Sequence, residues 1–166
     1  MNKIDSRLNV FVTAGDLVMR KLALFSLFFL LTVPSINVAN AAGSSSDTSV
    51  SIGDVKREVD RGKYDRAIKK AEDYLESNPQ SADAYNYIGY SRRQLGQYAQ
   101  AEAAYIKALK IDPSHVGAHE YYGELYIKLG NIKSAEKHLA DLSRICGNCE
   151  EQQMLAKKIG DAKSSR

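Results

Sequence analysis

The sequence predicts an all-α fold: a short solenoid of about three helix–turn–helix hairpins, closed by a C-terminal capping helix. Three observations carry that expectation. Glycine returns at Gly62, Gly96 and Gly130, alanine at Ala67, Ala101 and Ala135, and proline at Pro79 and Pro113, each set 34 residues apart. From Val50 onward the pattern is amphipathic helix broken by short turns, with little of the period-2 alternation that marks a strand. A hairpin of that length cannot bury its apolar face alone, so copies of it must stack.

The chain begins with a segment outside this pattern. Arg20 and Lys21 precede the apolar run Leu22–Val33, which breaks at Pro34 and ends in Ala39-Asn40-Ala41. Those are the basic, apolar and cleavage regions of a secretory signal peptide. The run of 12 residues is short of the roughly 20 that span a bilayer. Residues 1–42 are therefore read as a signal-peptide region with its true start at Met19 and cleavage near Ala41 or Ala42. A membrane association is expected only if this segment stays on as an anchor. The product is expected in the periplasm or outside the cell.

Removing residues 1–41 takes away Lys3, Arg7, Arg20, Lys21, Asp5 and Asp16, so the 23 basic and 20 acidic residues of the whole chain become 19 and 18. Charges so nearly balanced and so interspersed give no reason to expect nucleic acid as a partner. Residues 43–49 are small and polar and read as a flexible linker; residues 50–160 form the helical domain, and residues 161–166 a disordered tail.

Within the domain, Gly62, Gly96 and Gly130 end the first helix of each hairpin, where a left-handed residue closes a helix without a Cβ penalty. Ala67, Ala101 and Ala135 stand early in the second helix, where a small side chain allows close approach. Gly89 and Gly123, again 34 apart, are the small residues of the first helix. Pro79 and Pro113 stop the second helices.

These residues resemble tetratricopeptide repeats. The copy at 82–115 matches the family at Tyr85, Ile88, Gly89, Gly96, Tyr98, Ala101, Tyr105, Ala108 and Pro113, and departs at Arg92, where tyrosine is usual. The copy at 116–149 matches at Tyr122, Gly123, Tyr126, Gly130, Ala135 and Leu139, and departs at His119, at Ile132 and in lacking the last proline. The copy at 48–81 matches mainly at Gly62, Tyr64, Ala67 and Pro79. The resemblance implies that Tyr64, Tyr85, Tyr98, Tyr105, Tyr122 and Tyr126 pack in the core or between repeats. It also implies a concave groove lined by the first helices: Asp83, Asn86, Tyr87, Tyr90, Arg93 and Gln94 from one repeat, Glu120, Tyr121, Glu124, Ile127 and Lys128 from the next. Exposed tyrosine beside arginine suits a peptide-binding surface, since a rigid aromatic ring gives contact area at small entropic cost. The Lys/Asn/Asn/Lys/Arg clamp with which some relatives hold chaperone tails is not matched, because Tyr87, Gly117 and Tyr121 occupy three of its places.

Cys146 and Cys149, exported and three apart, are expected to form a disulfide between the third hairpin and the last helix. A thiol–disulfide exchange site is the alternative, but no strand–helix–strand pattern surrounds the pair. Glu150 rather than histidine follows it, which removes covalent haem attachment. His115 and His119 are four apart beside Glu120, but Gly123 breaks any HExxH pattern, and no metal site is expected. No nucleophile elbow, phosphate loop or dinucleotide fingerprint occurs. The expected function is a non-enzymatic interaction scaffold without cofactors, binding another protein or peptide. A redox role for the cysteine pair and self-assembly through the first repeat are the alternatives.

Overall fold

The computed structural model describes residues 49–165. The expected signal peptide and all but the last residue of the expected linker lie outside them. The described residues belong to one compact unit. Seven helices follow one another, with no strand among the described residues: α1 (Ile52–Asp60), α2 (Tyr64–Ser77), α3 (Ala82–Gln94), α4 (Tyr98–Ile111), α5 (Val116–Lys128), α6 (Ile132–Cys146) and α7 (Glu150–Ser164). None of them is long and apolar enough to cross a membrane. The tail expected at 161–166 is corrected by α7, which stays helical to Ser164.

Four of the seven helices, α1, α3, α5 and α6, start where the sequence supplies a side-chain acceptor for their free backbone donors. Ser51 Oγ accepts from the N–H of Asp54 at 3.2 Å, while Asp54 Oδ2 accepts from the N–H of Ser51 at 2.9 Å, a reciprocal capping box. Ser81 Oγ caps α3 by accepting from Ala84 N–H, His115 Nδ1 caps α5 by accepting from Ala118 N–H, and Asn131 Oδ1 caps α6 by accepting from Ser134 N–H. The ends of α1, α3 and α5 are alike. Gly62, Gly96 and Gly130 have φ of +68°, +75° and +74°. The N–H groups of Lys63, Gln97 and Asn131 then reach back to the carbonyls of Glu58, Arg92 and Tyr126 at 2.8–2.9 Å. That is the Schellman closure, and it needs the left-handed residue that glycine provides.

Helices adjacent in sequence pack on one another throughout, and so do the first helices of neighbouring hairpins: α1 on α3, α3 on α5, α5 on α7. The core is correspondingly segmented. Val55, Ala71, Ala84, Ile88 and Ala104 form one cluster, Ala101, Tyr105, Tyr122 and Leu125 a second, Ala135, Leu142, Leu155 and Ile159 a third. Fully burying a side chain such as Leu142 or Leu155 contributes about 1.5–3 kcal/mol. Ala67, Ala101 and Ala135 are completely buried, as their spacing implied. The glycines differ in detail. A Cβ at Gly89 would lie 2.5 Å from the Tyr105 ring of its own hairpin, whereas one at Gly123 would lie 2.6 Å from Leu155 of α7. Tyr98, expected in the core or between repeats, is instead a surface residue, 37% exposed.

The helices α3, α5 and α7 begin at residues 82, 116 and 150, one repeat length apart. The capping helix thus occupies the place of a first helix in a fourth hairpin. That placement gives the concave side four first helices in a row.

Candidate partner-binding cleft

The row of first helices presents two recesses. The larger, about 520 Å³, is lined by Lys56, Val59, Asp60, Arg61 and Gly62 of the first hairpin together with Tyr64, Tyr87, Tyr90 and Tyr121. The smaller, about 270 Å³, is lined by Arg93, Glu124, Ile127, Lys128, Lys158 and Asp161.

Tyrosine forms the wall of the larger cleft. Tyr90 stands edge-on to Tyr64 with centroids 6.2 Å apart and meets Tyr121 at 4.8 Å. The Arg93 guanidinium lies 5.1 Å from the Tyr90 centroid and 5.8 Å from that of Tyr121, within cation–π range of both. Burial raises the Tyr87 and Tyr90 phenols, and burial with the nearby Glu120 charge pushes Tyr121 up to about 12. At neutral pH these phenols are therefore uncharged hydroxyl groups that both donate and accept.

Beneath the tyrosines runs a buried polar floor. Arg93 pairs with Glu124 at 2.8 Å, their side chains only 6% and 11% exposed. Lys158 of α7 donates to Glu124 from the other side and stands 4.0 Å from Glu120. Burial first, then the Glu124 charge, push the Glu120 carboxyl up to about 7. Asn86 sits under Gly117, between α3 and α5, and its Oδ1 finds no hydrogen-bond partner among the described residues; the same holds for Glu120 Oε1.

The residues expected in the groove divide into three groups. Tyr87, Tyr90 and Tyr121 line the larger cleft, and Arg93, Glu124, Ile127 and Lys128 the smaller. Asn86 and Glu120 are buried in the floor, 5% and 3% exposed, rather than offered at the surface. Asp83 and Gln94 are exposed but line neither recess. Asp83 is instead bonded to His115: Nδ1 of that ring accepts the cap hydrogen bond, so Nε2 carries the proton and donates to Asp83 Oδ1 at 3.0 Å.

Sequence reasoning missed the contributions of α1 and α7, although the register carries them. Lys56, Tyr90, Glu124 and Lys158 are spaced at 34 residues, and so are Val59, Arg93, Ile127 and Asp161. All eight line the two recesses. Tyr64, expected in the core or between repeats, lies at the start of α2, where its ring meets Tyr90 of the next repeat and also forms part of the cleft wall. At the other end of the third hairpin, the sulfurs of Cys146 and Cys149 stand at disulfide distance, 2.05 Å.

Two family models, both described as tetratricopeptide repeat, match residues 92–159 and 70–103. Among curated proteins, the human Superkiller complex protein 3 is 25% identical over 93 residues, which cover 56% of this chain and 6% of that protein. The chain thus spans a small fraction of the length of this relative. Among solved structures, the first such domain of human RPAP3 superposes with a TM-score of 0.62 at 21% identity, covering 69% of this chain and 90% of that one. The first repeat domain of Spaghetti (RPAP3) bound to the HSP90 peptide SRMEEVD superposes with a TM-score of 0.60 at 20% identity, covering 68% and 89%. Likeness at that identity shows a shared fold.

Proposed function

We propose that this chain, whose residues 70–159 are tetratricopeptide repeats, is a non-enzymatic scaffold that holds an extended peptide or helix of another protein in its concave cleft. The observation that carries the reading is the open wall of Tyr64, Tyr87, Tyr90 and Tyr121 around an accessible recess of about 520 Å³. A row of neutral phenols offers apolar area with a hydrogen-bonding edge, which suits a peptide backbone and its side chains together. The peptide seated on the RPAP3 neighbour supports the same use of the fold. That neighbour's ligand is not the one proposed here, since Tyr87, Gly117 and Tyr121 occupy the places of a chaperone-tail clamp.

The compartment in this proposal is the periplasm or the exterior, supported by the basic–apolar–small-residue order of residues 19–41. The cysteine pair serves as a covalent staple between α6 and α7 in the same reading. Purified protein should be inert in an insulin-reduction assay if so.

The test of the main proposal is affinity capture from the native cell envelope by the intact protein and by Tyr87→Ala. The wild type should retain a partner that the variant loses while the variant still unfolds cooperatively. Tyr87 packs on the first core cluster, so the variant's melting temperature should fall by several degrees, the size of a change of about 1–2 kcal/mol. Capture unchanged by Tyr87→Ala, or a variant that fails to fold, overturns the assignment of this wall to recognition.

A further inference from the structure

The third hairpin holds a cluster that plays no part in lining the cleft. His119 of α5 and His138 of α6 face each other with their Nδ1 atoms 3.0 Å apart. Asp141, one turn beyond His138 on the same helix face, brings Oδ2 to 3.9 Å from His119 Nδ1. The three ligand atoms lie within 4.8 Å of one another, with both imidazoles buried and the carboxylate half-buried.

The tautomers follow from the partners. His119 Nε2 stands 3.0 Å from the carbonyl of Pro113, which can only accept, so Nε2 carries the proton. In the tautomer that this bond selects, Nδ1 of His119 is the lone-pair nitrogen, and it faces His138 Nδ1. Two facing lone pairs at that distance repel, so something positive must lie between them: either a proton on His138 Nδ1 or a metal ion bound by both. Donation of the remote ring N–H to a backbone carbonyl is the outer arrangement that metal-ligating histidines use. His138 is held between rings, 4.6 Å from Tyr122 and 5.7 Å from Tyr126, and Arg144 grips the other oxygen of Asp141.

We propose that His119, His138 and Asp141 bind one zinc ion, with water in the fourth position, and so clip α5 to α6. With zinc–nitrogen bonds of about 2.0–2.1 Å, two imidazoles on a tetrahedral ion stand about 3.3 Å apart. The rings here need to part by only a few tenths of an ångström. The carboxylate must close in further, and it sits on the solvent side of the cluster, which supplies the path of entry. Two imidazoles and one carboxylate select zinc over calcium or magnesium, which take oxygen ligands. On binding, His138 keeps its charge and its proton moves from Nδ1 to Nε2.

The experiment is calorimetric titration of the full chain with zinc chloride, with Cys146 and Cys149 both replaced by serine so that thiols cannot contribute. One equivalent should bind. Asp141→Asn, an isosteric change at a side chain 18% exposed, should weaken binding about tenfold or more, and His115→Ala should leave it unchanged. Nitrogen-15 spectra of the wild-type rings should show zinc perturbing Nδ1 of His119 and His138 while His119 Nε2 stays protonated. Failure to bind one equivalent, binding indifferent to Asp141→Asn, or a metal that leaves both Nδ1 signals unmoved overturns the site. The readout involves neither the cleft nor its cargo, so it stands or falls apart from the proposed function.

Discussion

Replacing single helix-interior glycines by alanine tests how far inter-helix spacing is set by absent side chains. In an open helix the change stabilises by about 1 kcal/mol, since alanine has less backbone freedom to lose. Gly160 in α7 is such a site, because a Cβ there meets nothing within 4 Å. Gly89 in α3 is the opposite, with a Cβ falling 2.5, 2.6 and 2.9 Å from three atoms of the Tyr105 ring. Tyr105 is completely buried, so its ring has nowhere to retreat and α3 must move off α4. Overpacking of that kind costs about 1–3 kcal/mol, and three atoms below contact distance put it at the upper end. Set against the gain in propensity, Gly89→Ala should destabilise by about 2 kcal/mol while Gly160→Ala stabilises by about 1 kcal/mol. In thermal melts followed by circular dichroism at 222 nm the two variants should therefore separate by about 10 °C. Equal stabilisation in both would refute the claim that Gly89 sets the separation of α3 and α4.

Two further outcomes concern the buried charges. Glu124→Gln leaves Arg93 and Lys158 facing each other without their shared anion, so chemical denaturation should register a loss of about 3 kcal/mol. The raised Glu120 carboxyl, about 7 against 4.5, makes the folded chain hold a proton that the unfolded one releases. That contribution is complete below pH 4.5 and is lost as pH rises through 7. Glu120→Gln should accordingly stabilise by about 3 kcal/mol at pH 8 and hardly at all at pH 4.5, read as a shift in urea midpoint. His138 works in the other direction: burial lowers it to about 4. In metal-free Glu120→Gln protein, stability should fall by about 3 kcal/mol as pH drops from 6.5 to 4.

The fold was legible because its determinants are local and repeated. Gly96 needs its left-handed φ whatever surrounds it, and Ala101 must be small wherever two helices cross, so both show as residue types at an interval. Recognition residues have no such constraint on identity. Lys56, Tyr90, Glu124 and Lys158 share a register and nothing else, and the degenerate first repeat hid Lys56 behind its missing aromatic and glycine. α7 was read as a cap because a stack of repeats needs a terminal helix with one polar face; its place in the 34-residue register was masked, since Gly147 stands where Pro79 and Pro113 would have a successor. The His119–His138 pair was out of reach for a different reason. It joins residues 19 apart across a helix crossing, where no sequence interval announces the contact.

The three separate core clusters bear on how this molecule comes apart. The first cluster draws on α1 to α4 and the other two on a pair of helices each, so no keystone holds the whole array and damage spreads only to the adjoining unit. Pulled from its two ends, such a chain yields in instalments, hairpin after hairpin. Each step strips one rung from the wall of the cleft while the rest stays standing. A cargo gripped across α1, α3 and α5 would bridge several instalments at once, and in doing so turn a row of loosely joined pieces into a single mechanical body.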